Sequence, residues 1–169
     1  RELKEETGLK LSVKEFKEVG TFSDIKRDPR ERVITVAHYA LVKLAEVQAD
    51  TDADKTEWFV LSDVPSLAFD HDKILRDAFY RLKQDIHFQP VGFELLPEVF
   101  TLPQLQNLYE SILEVKFDRR NFANKMKHFG MLSEIKDDTP RHGTRTPIKY
   151  RFDKENYERL KAKGFQLEF

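Results

Sequence analysis

The hydrophobic pattern switches between helical and alternating periods several times along this chain. It opens on Arg1-Glu2-Leu3-Lys4-Glu5-Glu6-Thr7-Gly8, a run of good helix formers that predicts the last turns of a helix stopped by a left-handed glycine. An uncapped start of this kind predicts further residues upstream. Period-two spacing then takes over. Leu11, Val13 and Phe16 predict a strand that continues through 19–22, with Gly20 as the place for a bulge. Residues 24–32 form a charged loop turning at Asp28-Pro29. Residues 33–43 are apolar on both alternating sets, which predicts a strand buried on both faces. A polar loop over 49–55 separates it from a short strand over 57–61. Asp70 is placed to cap a helix over 71–84, with Ile74, Leu75, Ala78, Phe79 and Leu82 on one face.

Pro90 and Gly92 mark 87–92 as a linker, and beyond it helical spacing dominates. Residues 93–99 are a short apolar segment. Thr101 caps a predicted helix through Leu113, with Pro103 in its first turn and Leu105, Leu108, Tyr109 and Ile112 as its stripe. Asp118 caps the next, which runs to Phe129 and stops at Gly130. Residues 131–135 and 148–152 predict a β-hairpin around a long polar loop, and Asp153 caps a last helix over 154–163. The chain thus reads as α+β in two domains, 1–86 and 87–169, without internal repeats.

Composition narrows the classes. A chain of 169 residues that is 40% hydrophobic and 12% aromatic can fill two small cores, which argues against disorder. The absence of cysteine excludes disulfides, thiol catalysis and Cys-ligated zinc. No apolar run approaches the 18 or so residues of a membrane span, and the charged N-terminus does not read as a secretory signal. A cytoplasmic location fits. The formal net charge of −1 hides an uneven distribution: residues 116–151 hold 10 Lys and Arg against 4 Asp and Glu. Such a basic block is a candidate footprint for a polyanion.

Two constellations carry candidate chemistry. Glu2, Glu5 and Glu6 are three and four positions apart and share one helical face. Three carboxylates there repel unless a cation joins them, and the set suits Mg²⁺, which takes oxygen ligands, water and phosphate. The second lies in the order helix, short turn, helix, hairpin, which is that of a helix-turn-helix with a wing. In its second helix Phe122, Met126 and Phe129 face inward. Arg119, Arg120, Asn121, Asn124, Lys125 and Lys127 occupy the remaining faces, with the side chains suited to base edges and phosphates of double-stranded DNA. Arg141, His142, Arg145 and Lys149, in and beside the hairpin loop, are placed to reach a neighbouring groove or backbone.

Residues 1–9 resemble the second half of the Nudix box, Arg-Glu-apolar-any-Glu-Glu-any-Gly-apolar, at every specified position; its first half is not in this sequence. The likeness extends through residues 20–41, Leu67-Ala-Phe-Asp-His71, Asp118-Arg-Arg-Asn-Phe122 and above all residues 92–110, a stretch that plain Nudix hydrolases lack. On these residues the chain resembles the Nudix-related transcription regulators, which include ADP-ribose-sensing repressors of NAD biosynthesis and arabinose-responsive regulators. The resemblance implies a partial Nudix α/β/α sandwich, its N-terminal strands missing, followed by a winged helix-turn-helix. It also implies a homodimer, a small-molecule effector in the Nudix cleft, and operator binding. Effector candidates are Phe22, Arg27, Asp28, Arg30, Tyr39, Trp58, Asp70 and His71. Among them Arg27 and Arg30 suit a diphosphate, and Trp58 or Phe22 suits stacking on an adenine or a sugar. Because Glu2, Glu5 and Glu6 are all present, a Mg²⁺-dependent pyrophosphohydrolase acting on ADP-ribose-like substrates stays open as the second reading. A Nudix sheet without its first strands would leave apolar surface on 33–43 exposed.

Overall fold

The computed structural model describes residues 2–44, 57–135, 147–165 and 167, apart from the side chains of Glu2, Glu5 and Glu6. The chain divides into two compact units, Arg1–Arg81 and Leu82–Phe169. No helix among the described residues is long and apolar enough to cross a membrane.

In the first unit, helix α1 (Glu2–Thr7) ends at Gly8, whose φ of 70° lets its N–H reach the Lys4 carbonyl at 3.0 Å. The strand expected from Leu11 begins later. Ser12 and Glu15 form a capping box that winds Val13–Glu15 into a 3-10 turn, so the extended chain starts at β1 (Lys17–Phe22). Strand β1 pairs antiparallel with β2 (Thr35–Tyr39), and the register shifts between Glu18 and Gly20, where the bulge was expected.

Strand β2 is shorter than the predicted 33–43 and is not buried on both faces. Only Ala37 is buried, while Ile34 and Val36 are exposed. Among the described residues β2 has one neighbour, β1, and a two-stranded ribbon cannot cover both of its faces. Residues 57–60 form no strand either, for want of a partner ladder, and the chain continues into a 3-10 turn at Leu61–Asp63.

Helix α2 (His71–Phe88) outruns its predicted end at residue 84. Leu82, Asp85 and Ile86 are buried in the second unit, and Pro90 follows as the stop. Most of the expected linker is therefore helix or tight turn. Gly92 (φ 93°) opens a 3-10 turn, Phe93–Leu95, and β3 (Phe100–Thr101) leads into α3 (Leu102–Leu113).

Thr101 caps α3 through a box with Gln104, and Glu114 closes it at φ 57°. Asp118 caps α4 (Arg119–His128), then come β4 (Leu132–Ile135), β5 (Lys149–Phe152) and α5 (Lys154–Ala162), capped by Asp153. The strands form one antiparallel sheet ordered β3-β5-β4. Strand β3 is only two residues long, which no periodicity reveals. Ile86, Leu105, Tyr109, Met126, Met131 and Leu167 are the most enclosed side chains. Phe93 binds helix to sheet, its ring 4.4 Å from Phe152 and edge-on to Phe100 and Tyr109.

Candidate functional site

The first candidate site is a cleft of about 240 Å³ in the first unit, where the loop between β1 and β2 meets the start of α2. The structure brings Arg27, Asp28, Arg30, Asp70 and His71 together there. Phe22, Tyr39 and Trp58 do not line it. Phe22 pairs with Thr35 across the ribbon under the Lys73 ammonium, Tyr39 pairs with Lys17, and Trp58 is 52% exposed.

The two arginines have different surroundings. Arg27, with its side chain 5% exposed, donates from Nε and Nη2 to the two Asp70 oxygens at 2.9 and 3.0 Å, and from Nη1 to Thr35 Oγ1. This fork holds the loop against the start of α2, raises the Arg27 pKa and lowers that of Asp70. The expected capping role of Asp70 is displaced accordingly: its carboxylate goes to Arg27, and its carbonyl accepts from Lys73 and Ile74.

Arg30 is 71% exposed. Its Nε and Nη2 hold Asp28, whose carboxyl also accepts the Arg30 N–H and is thereby held down at about 2. Its guanidinium lies 4.9 Å from the centre of the Phe69 ring. Nη1 of Arg30 has no partner among the described residues.

Glu31, Val33, Thr35 and Phe69 also line the cleft, and reasoning from sequence missed them. Phe69 is half exposed with φ 56°, a left-handed conformation that costs a large side chain on the order of 1–3 kcal/mol and that clusters at ligand sites. Its place in Leu67-Ala-Phe-Asp-His71 was the available signal.

The described residues hold no group of three His, Asp or Glu side chains fit for a metal. The side chains of Glu2, Glu5 and Glu6 lie outside the described residues; their backbone is helical.

The second candidate site is the exposed face of α4. Phe122 and Met126 are buried under the helix, as their spacing predicted, and Phe129 just beyond it is buried too. Arg119, Arg120, Asn121, Asn124 and Lys127 are exposed, and Lys125 is half-buried. Lys149, on β5, is exposed as well. Arg141, His142 and Arg145 lie outside the described residues. Arg151 on the same strand, which the sequence reading did not select, is exposed and pairs with Glu98 at 3.1 Å. With α3 packed against it, α4 presents amide and cationic groups on its exposed side.

Comparison with known proteins identifies both halves. Residues 1–78 match the NUDIX domain family, and residues 92–152 match the NrtR DNA-binding winged helix domain. The chain is 33% identical over 161 residues to the ADPR responsive transcriptional repressor NtrR of Acinetobacter baylyi, covering 94% of this chain and 63% of that protein. It is 46% identical over 77 residues to the ADP-ribose pyrophosphatase of Methanocaldococcus jannaschii, covering 46% of this chain and 44% of that one. Shewanella oneidensis NrtR, solved in complex with a 27mer DNA, superposes with a TM-score of 0.71 at 26% identity, over 90% of this chain and 69% of that one. A MutT/nudix family protein from Enterococcus faecalis superposes with a TM-score of 0.69 at 26% identity, over 90% of this chain and 66% of that one. The chain thus spans 63% of the length of the curated repressor it resembles.

Proposed function

We propose that this chain, whose residues 1–78 match the NUDIX domain family and residues 92–152 the NrtR DNA-binding winged helix domain, is an effector-controlled transcription regulator. The observation that carries this reading is the exposed Arg, Lys and Asn face of α4 within a capped helix-turn-helix. In this reading α4 enters the major groove, with Arg119, Arg120, Asn121, Asn124, Lys125 and Lys127 supplying base and phosphate contacts. Lys149 and the hairpin loop with Arg141, His142 and Arg145 reach the adjacent backbone. A homodimer would place two such helices on one operator. The regulator works in the cytoplasm.

The effector is an ADP-ribose-like nucleotide, in keeping with the name of the Acinetobacter relative. The cleft is smaller than the roughly 300–1,000 Å³ of ordinary ligand pockets, so it suits the diphosphate end of such a molecule. Arg30 Nη1 and the exposed His71 are the groups that would meet the phosphates, with Arg27 and Asp70 holding the loop and Asp28 orienting Arg30. Effector binding shifts operator affinity by favouring one of two states of the protein.

Gel-shift titration of its own promoter region, with ADP-ribose in one arm and arabinose in the other, tests the reading. ADP-ribose is expected to change the binding and arabinose to leave it unchanged. Failure to retard the promoter duplex at low salt overturns the regulator.

A second reading has its own support in the complete second half of the Nudix box and in the likeness to the Methanocaldococcus pyrophosphatase. Here Glu2, Glu5 and Glu6 would hold Mg²⁺, which supplies charge neutralisation at a diphosphate bond attacked by water. Turnover of ADP-ribose with Mg²⁺, lost in Glu6→Gln, is its test.

A further inference from the structure

The turn between α3 and α4 is built around one carboxylate. Glu110, on the third turn of α3, has a side chain only 8% exposed, yet it meets three donors. Lys116 Nζ donates to it at 2.7 Å, Gln106 Nε2 at 2.8 Å and the backbone N–H of Phe117 at 3.0 Å. Gln106, one helical turn earlier, also donates to the Phe117 carbonyl at 2.9 Å. Both backbone polar groups of Phe117 are therefore held by side chains projecting from α3.

Phe117 is the residue before Asp118, the cap of α4. Its ring packs on Phe122 at 5.4 Å, and Phe122 meets Tyr109 at 6.2 Å. The Glu110–Gln106 pair thus fixes where α4 begins, and the aromatic contacts fix how it is rotated. None of Gln106, Glu110, Phe117 and Phe122 is exposed, whereas Arg119, Arg120 and Asn124 are.

We propose that Glu110 is a positioning residue for DNA recognition, acting through the Phe117 peptide to hold α4 in the register that base readout requires. This rests on the DNA-binding reading above. Phosphate contacts made by long Lys and Arg side chains tolerate small displacements, whereas base contacts need the helix in place. Neutralising Glu110 should therefore reduce specificity more than affinity in general. A merely structural loss would lower both together.

The test uses the full chain and two duplexes of equal length: the sequence most enriched by the wild-type protein from a random pool, and a scrambled version of it. Glu110→Gln keeps the shape of the side chain but sets an amide group among donors. It is expected to lower the ratio of the two affinities about tenfold, the size of one mismatched base pair, with scrambled-duplex binding at low salt unchanged. Lys116→Met removes one partner whose own side chain is 89% exposed, so its fold is safe even where that of Glu110→Gln is not. It is expected to move the ratio in the same direction by less. An unchanged ratio in a folded Glu110→Gln protein, or in Lys116→Met where the first variant does not fold, overturns the positioning role while leaving DNA binding intact. A wild-type protein that enriches no sequence overturns sequence-specific DNA binding itself, and the positioning role with it.

Discussion

Arg27 and Asp70, 43 positions apart in the chain, are joined by two parallel N–H···O bonds of 2.9 and 3.0 Å. The pair ties the loop between β1 and β2 to the first turn of α2 and leaves Nη1 of Arg30 without a partner among the described residues. Lysine cannot reproduce a two-bond fork. Arg27→Lys is therefore expected to lower the thermal midpoint of the protein by several degrees. Arg30→Ala, which removes the two side-chain bonds to Asp28, should lower the midpoint by less and weaken the proposed ADP-ribose binding by about tenfold, the effect of one lost charge-assisted bond. Scanning calorimetry and titration calorimetry separate the two. Equal effects of both substitutions on stability would refute the division of roles.

Gly92, within the second unit, has a φ of 93°, and a Cβ placed on it would lie 3.3 Å from Leu108 Cδ2 and 3.8 Å from Ile112 Cδ1. The backbone conformation and the close approach act in the same direction. Gly92→Ala should cost roughly 1–3 kcal/mol, most of it from the left-handed backbone. The urea midpoint of the purified variant measures this, and a change below the error of the fit would mean that the turn adjusts freely.

The second unit was the more legible of the two, and the reason is local. Thr101, Asp118 and Asp153 announce their helices from within a few residues, and Gly130 stops one in the same way. The first unit depends on neighbours distant in sequence. Residues 33–43 carry the composition of a buried strand, yet Ile34 and Val36 are exposed, because burial is decided by what covers a strand and not by its own alternation. In the cleft, five of the eight effector candidates come together; what separates Arg27 from Arg30 is which carboxylate each can reach, a tertiary fact. The left-handed Phe69 is likewise invisible to periodicity. Glu110 sits among partners at positions 106, 116 and 117 that meet only once the turn has formed.

The carboxyl of Glu110 also makes the stability of the second unit depend on pH. Its hydrogen bonds from Lys116, Gln106 and the Phe117 N–H hold its pKa at about 2, against an ordinary 4.5. Between those values the unfolded chain binds the proton and the folded one does not. The contribution is therefore complete above pH 4.5 and is lost as pH falls toward 2. Urea midpoints of the wild type should drop over this window more steeply than those of Glu110→Gln. Parallel curves for the two proteins would show that the carboxylate is not linked to folding.

Arg120 and Met126 lie on different faces of α4, one exposed and the other fully buried. Their substitution should separate recognition from folding. Met126→Ala removes a side chain enclosed by the core and is expected to cost about 2–5 kcal/mol. Arg120→Ala removes no packing, so stability should stay within about 0.5 kcal/mol of wild type. Its effect is expected on the proposed DNA binding. A phosphate contact would weaken all duplexes alike and lower the salt slope of binding by about one, whereas a base contact would cost roughly 1–3 kcal/mol on the preferred sequence only. Titrations of both duplexes at several salt concentrations discriminate the two cases. Unchanged affinity for both would remove Arg120 from the interface and rotate the docked face of α4 toward Asn124 and Lys127.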